Sequence, residues 1–202
     1  MQNQYTYWYF QNALSLKFCE NVIQLGKNTY KQQALIGSKP IITKKELKTL
    51  RDCKVSFLNQ HWIYKEIQPF VRAANKNAGW NFEWDFTEQV QYTEYKKGQF
   101  YGWHCDEWPK PYSDTKRPDQ VGKNRKLSIT VSLSDPKDYK GGELEFDLRD
   151  RPDGKPNIIK CKEIMPRGSM VVFPSATWHR VTPVTKGVRY SLVAWHLGKP
   201  FK

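Results

Sequence analysis

Apolar positions along this chain repeat in two rhythms, and the change from one to the other falls near residue 80. Before that point the repeat is helical. Ser15 is placed to cap a helix through about Lys27, with Leu16, Cys19, Val22, Ile23 and Gly26 on one side. Thr43-Lys44-Lys45-Glu46 has the form of a capping box, opening a short helix that ends near Asp52. From Leu58 to Ala78, the residues Trp62, Ile63, Ile67, Phe70, Val71 and Ala74 recur at helical spacing, with Pro69 predicting a kink or an early turn. A helix that is apolar on one side needs a sheet to lie on.

The remainder supplies one. Strands are predicted over about Trp84–Glu94, Gln99–Trp103, Lys126–Ser134, Glu143–Asp147, Ile158–Glu163, Ser169–Pro174, His179–Pro183 and Val188–Leu197. Turn signals separate them: Lys97-Gly98, Lys140-Gly141-Gly142, Pro152-Asp153-Gly154, Pro166-Arg167-Gly168 and Lys186-Gly187. Short strands with polar turns predict two packed antiparallel sheets, a jelly roll or a related barrel. Residues 1–202 therefore read as one domain of α+β class, mostly β, with 1–80 a mainly helical support and 81–202 a jelly-roll core. One connection, Glu107 to Asn124, is polar, carries three prolines and is too long for a hairpin. Connections of that length are lids, binding loops or disordered segments.

Composition adjusts this picture only slightly. The aromatic share of 14% supplies enough apolar area to exclude a disordered chain. No apolar run approaches the roughly 20 residues that span a bilayer. Met1 to Phe10 lacks the basic-then-apolar order of a secretion signal, so a cytoplasmic protein is expected. Cys19, Cys53, Cys105 and Cys161 form no C-x-x-C pair and read as reduced thiols. The net charge of +13 is compatible with a polyanionic partner, but the basic residues are spread along the whole chain. A lysine-rich solvated surface is the simpler reading, and nucleic acid is not the expected partner.

Candidate chemistry begins at Tyr101-Gly102-Trp103-His104-Cys105-Asp106. On a strand, His104 and Asp106 share one face while Cys105 points away. A third ligand, His179, opens a late strand in Thr177-Trp178-His179-Arg180-Val181. Two imidazoles and a carboxylate on one face leave open coordination positions, the arrangement that serves non-haem iron(II). In the last strand, Arg189, Ser191, Val193 and Trp195 share a face, so the Arg189 guanidinium can point inward and grip a carboxylate in bidentate fashion. In Lys126–Ser134 the aliphatic set Leu127, Ile129, Val131 and Leu133 is assigned to the helices, and Ser128, Thr130 and Ser132 to the pocket. His61 reads as a surface or boundary residue, His196 and Cys105 face away from the other candidates by strand parity, Asp85 and Glu88 have no ligand spacing, and Tyr5 to Phe10 reads as packing.

Pro174 through Ser191, taken with Gly141-Gly142-Glu143-Leu144 and Tyr95-Lys96-Lys97-Gly98-Gln99-Phe100-Tyr101, resembles the prolyl 4-hydroxylase-like, PKHD-type branch of the Fe(II)/2-oxoglutarate oxygenases, bacterial and phage members in particular. The resemblance covers nearly the whole chain. It implies a double-stranded β-helix and iron(II) held by His104, Asp106 and His179. It also implies 2-oxoglutarate as cosubstrate with dioxygen, its distal carboxylate on Arg189 and a hydrogen bond from Tyr95. Ser128, Ser191 and Trp195 would line the same pocket, and ascorbate would serve as reductant. The substrate implied is a prolyl residue in a peptide or protein, met by Trp108, Tyr112, Arg117 and Arg125 of the long loop and its end. Another amino acid and an alkylated nucleic acid stay open as substrates. The demethylases resemble this pattern but carry a second arginine where this chain has Trp195. A jelly-roll module without catalysis is the remaining alternative, disfavoured by the complete ligand set.

Overall fold

The computed structural model describes residues 5–34, 48–114 and 116–201. Fifteen strands and two long helices are labelled here in chain order: β1 (Trp8–Phe10), α1 (Leu16–Asn28), β2 (Gln32–Gln33), β3 (Arg51–Asp52), β4 (Lys54–Leu58), α2 (His61–Asn77), β5 (Phe86–Thr87), β6 (Val90–Tyr95), β7 (Phe100–His104), β8 (Asn124–Ser132), β9 (Tyr139–Gly141), β10 (Leu144–Asp147), β11 (Ile158–Lys160), β12 (Met170–Pro174), β13 (Trp178–Val181), β14 (Val184–Gly187) and β15 (Arg189–Gly198). Short 3-10 turns occupy Pro118–Gln120 and Lys162–Ile164.

Both helices form where their sequence dictates. The Ser15 hydroxyl accepts the Phe18 N–H at 3.1 Å, which caps α1. In α2, Ile63, Ile67, Val71 and Ala74 form the buried stripe, and Pro69 stands on the exposed side. There the carbonyl released by the missing N–H can be hydrated.

The strands build two facing antiparallel sheets. In the major sheet the order is β1-β12-β8-β15-β6-β4-β2, with β5 added to β15, and in the minor sheet it is β11-β10-β13-β7-β3. Successive strands β6, β7, β8 and then β12, β13, β15 cross alternately between the sheets, which is the connectivity of a double-stranded β-helix.

Each face of the major sheet has its own core. Leu127, Ile129, Val131, Leu133, Leu192 and Ala194 pack outward on Phe18, Val22, Ile63, Ile67 and Val71 of the helices. Burying each such side chain contributes roughly 1.5–3 kcal/mol. Inward, Val55, Tyr95, Val171 and Phe173 meet Leu144, Phe146 and Val181 of the minor sheet. The hydroxyls of β8 therefore face the interior, as their alternation predicts.

The first eighty residues depart from the helical expectation. Arg51–Asp52, where a helix end was expected, is strand β3, and Lys54–Leu58 is β4 within the major sheet. Trp8–Phe10 pairs with β12 as an edge strand. The pattern of β4 conceals it, because Val55 and Ser56 are both buried and Phe57 is exposed. Ser56 is tolerated there because its hydroxyl donates to the Gly26 carbonyl at 3.1 Å. The capping-box stretch 43–46 lies outside the described residues.

Candidate active site

The two candidate histidines come from neighbouring strands of the minor sheet. In the β7–β13 register His104 lies directly opposite His179, and their ring centroids are 4.1 Å apart. Each ring is oriented by its own strand. His104 Nδ1 is 2.8 Å from the Gly102 carbonyl and His179 Nδ1 is 2.9 Å from the Thr177 carbonyl. A carbonyl only accepts, so both Nδ1 atoms carry the proton and both Nε2 lone pairs are left for a metal.

Asp106 completes the set by a route that strand alternation does not describe. Strand β7 ends at His104, and Asp106 lies in the bend beyond it. It is held by the Ser175 carbonyl, which accepts the backbone N–H of both Asp106 and Glu107 at 2.9 Å. The carboxylate oxygens then stand 3.7 Å from His104 Nε2 and 3.6 Å from His179 Nε2. One donor atom from each residue falls within 4.8 Å of the others. This donor set fits iron(II), with two imidazole nitrogens and one carboxylate converging.

The charges agree. Burial, then the adjacent His179, pushes His104 down to about 3, so the ring is a neutral ligand. Burial alone would raise the Asp106 carboxyl, but His179, His104 and Arg125 outweigh it and bring it to about 2. The Trp195 indole N–H also helps to hold Asp106 down, although among the described residues it has no partner at hydrogen-bond distance.

A cavity of about 510 Å³ opens beside Asp106, lined by Arg51, Glu88, Tyr101, Trp108, Arg125 and Trp195 among others. The Arg125 guanidinium lies 3.9 Å from the Trp195 ring centroid. Tyr101 stacks on His104 with centroids 3.5 Å apart, and the Arg51 guanidinium lies 4.2 Å from the other ring system, that of Tyr101. Arg189 belongs to a second recess of about 290 Å³, with Ser132, Gly142 and Leu144. It is 3% exposed and donates to the Ser191 hydroxyl at 3.2 Å. Tyr95 pairs with it in register, with the guanidinium 5.5 Å from the ring centroid. A side chain at Gly142 would put Cβ 2.8 Å from Arg189 Cδ, so the glycine pair before Glu143 gives the arginine stem its passage.

Arg189, Tyr95 and Ser191 are thus brought together, whereas two residues assigned to the same pocket are not beside them. Ser128 pairs with Trp195 in the β8–β15 register, while Ser132 pairs with Ser191. Four residues of strand separate the two pairs by about 14 Å. The Ser128 hydroxyl is engaged with Ser175 at 2.9 Å, and Trp195 with Arg125. Both lie at the end of the strands nearer Asp106, and Ser132 takes the place next to Arg189.

Of the loop residues, Trp108, Tyr112, Arg117 and Arg125 all line the cavity. His61 is exposed, and His196 is fully buried against Trp84 on the helix side. Tyr7 and Phe10 pack on Phe146 and Phe70, in line with their reading as core. Glu88 is the residue that spacing missed. It receives Arg125 at 2.7 and 2.9 Å and Tyr112 at 2.8 Å. A buried arginine requires a carboxylate, but nothing in linear order says which one. Arg51 was hidden by its place in a presumed helix end.

Residues 90–197 match the family described as the 2OG-Fe(II) oxygenase superfamily. The chain is 39% identical over 99 residues to a PKHD-type hydroxylase of Synechococcus sp. (strain CC9902), covering 48% of this chain and 36% of that protein. The match thus spans well under half of that relative's length. Two solved structures share the fold. A viral collagen prolyl hydroxylase from Paramecium Bursaria Chlorella virus-1, in complex with 2OG, gives a TM-score of 0.63 at 22% identity, covering 96% of this chain and 97% of that one. A prolyl hydroxylase from Trichoplax adhaerens, bound to a hypoxia inducible factor oxygen degradation domain peptide fragment, gives 0.66 at 16% identity, covering 96% and 84%.

Proposed function

Because the chain belongs to the 2OG-Fe(II) oxygenase superfamily, we propose that it is an iron(II)- and 2-oxoglutarate-dependent dioxygenase that hydroxylates a prolyl residue in a peptide or protein. The observation that carries this reading is the convergence of His104 Nε2, Asp106 and His179 Nε2 at the edge of a cavity walled by Trp195 and Arg125. Bound iron with 2-oxoglutarate and dioxygen supplies the oxidising power, converting the cosubstrate to succinate and carbon dioxide as one oxygen atom enters the substrate.

The chain's own residues bind, orient and shield. Arg189 takes the distal carboxylate of 2-oxoglutarate, with Ser191 fixing the guanidinium and the Tyr95 hydroxyl as a further donor. Ser175 and Ser128 hold Asp106 in place from behind. Trp195, Trp108 and Tyr112 offer apolar faces to a proline ring, and Arg125 offers donors to a peptide carbonyl. The prolyl substrate is further supported by the names of two structural neighbours, a viral collagen prolyl hydroxylase and a prolyl hydroxylase in complex with a peptide fragment. We place the reaction in the cytoplasm, a setting that fits four free thiols. Among the described residues no helix is long and apolar enough to cross a membrane.

The test is succinate release from proline-rich peptides with iron, 2-oxoglutarate and ascorbate, followed by mass spectrometry of the peptide. One added oxygen on proline is the expected result. Oxygen on leucine or lysine alone, or on an alkylated base, would refute the prolyl substrate, and no metal binding would refute the enzyme.

A further inference from the structure

Glu88 has no part in the reaction as derived above, yet it is 7% exposed and its carboxylate collects three hydrogen bonds. Oε1 accepts from Arg125 Nε at 2.7 Å and from the Tyr112 hydroxyl at 2.8 Å, and Oε2 accepts from Arg125 Nη2 at 2.9 Å. The two partners belong to different parts of the molecule. Arg125 is on β8, fixed against Trp195 of the neighbouring strand β15. Tyr112 is in the connection that follows Asp106, its ring tilted against that of Trp108 at 4.8 Å between centroids.

That connection is a loop with a closed neck. The Tyr112 N–H donates to the Lys123 carbonyl at 3.0 Å and the Gly122 N–H to the Tyr112 carbonyl at 2.8 Å. Lys123 is itself paired with Asp85 at 2.9 Å. Tyr112 is thus both the neck of the loop and its link to the sheet. Burial raises the Tyr112 hydroxyl well above the ordinary tyrosine range, so it stays a donor.

We propose that Glu88 is a positioning residue that ties this loop to Arg125, so that closure of the loop and presentation of the guanidinium are one event. Two donors of Arg125 are held by Glu88, which sets the plane of the guanidinium against Trp195 and leaves Nη1 outside the pair. The same carboxylate holds Tyr112, so a substrate that engages the loop meets an arginine already in position. This role rests on the reading that the cavity beside Asp106 receives the substrate.

A purely structural Glu88 would only neutralise Arg125, and Tyr112→Phe separates the two cases because it leaves the ion pair intact. In the iron-loaded protein trypsin can cut the loop after Lys116, since Lys110 and Arg117 are each followed by proline and Lys123 is held at the neck by Asp85. Cleavage at Lys116 should be at least threefold faster in Tyr112→Phe and in Glu88→Gln than in the parent. The KM for the hydroxylated peptide should rise at least threefold in both, with a smaller change in kcat. The double variant should be no worse than Glu88→Gln alone, because both bonds end on one carboxylate. Cleavage of Tyr112→Phe at the parent rate, or effects that multiply in the double variant, would overturn the proposal. If no peptide is turned over, the prolyl reading fails, and the cleavage measurements still decide the tie.

Discussion

Asp106 and Arg189 make opposite demands on the residues around them. Asp106 must remain ionised inside the protein, and two imidazoles with Arg125 hold it at about 2 against the burial that opposes it. Replacing it by alanine removes the only carboxylate of the donor set, so Asp106→Ala should lose iron binding completely, as measured by iron stoichiometry after dialysis. Arg189 must find an anion, and charge-assisted hydrogen bonds of this kind contribute about 1.5–3 kcal/mol. Arg189→Ala should therefore weaken 2-oxoglutarate binding by roughly 10- to 150-fold by titration calorimetry. Both residues are legible in linear order, one from an H-x-D pair and the other from its place ten residues beyond His179. Glu88 and Ser175 are not. Each acts through a partner distant in the chain, Arg125 in one case and Asp106 in the other, and no periodicity marks such a pairing.

Most elements after residue 80 are legible, either as an alternation of apolar and polar residues, as in β8, or as a short apolar run, as in β12. Those the sequence hides are short or buried on both sides. Strands β9 and β14 form a half-exposed ribbon containing Gly141 and Gly187, which leaves no apolar rhythm to read. Strand β4 has Val55 in the inter-sheet core and Leu58 in the helix-side core. The contact of α1 with β6 shows how closely these layers fit. A Cβ on Gly26 would lie 2.3–2.6 Å from ring atoms of Tyr92, itself fully buried and stacked on Tyr190. Overpacking costs about 1–3 kcal/mol, while alanine gains about 1 kcal/mol of helix propensity over glycine. Because the ring has no room to retreat, the clash wins. Gly26→Ala should lower the urea midpoint, and an unchanged or raised midpoint would show that α1 shifts freely.

Across the whole molecule, acid acts through two buried rings, His104 at the candidate metal site and His196 far from it. His196 is fully buried against Trp84, and burial, then Arg72, lowers it from 6.5 to about 3. The unfolded chain takes up this proton more readily, so the contribution to stability is complete above about pH 6.5 and is lost as pH falls toward 3. Between pH 6.5 and 5 the loss is about 2 kcal/mol. His196→Phe keeps a ring on Trp84, and neither ring nitrogen has a partner at hydrogen-bond distance among the described residues, although the Leu127 backbone weakly favours the protonated ring. Its unfolding midpoint should change less than that of the parent between pH 7 and 5. An equal change would place the acid sensitivity elsewhere. The metal ligands are organised on a much smaller length scale. Gly102-Trp103-His104 and Thr177-Trp178-His179 each carry the carbonyl that aims the histidine two residues later. Ring orientation is therefore set within three consecutive residues, and the cavity wall adds to it at His104 through the stacked Tyr101. Such a unit is portable: the rim can be rewritten for a new substrate, residue by residue, while the metal grip passes on unchanged.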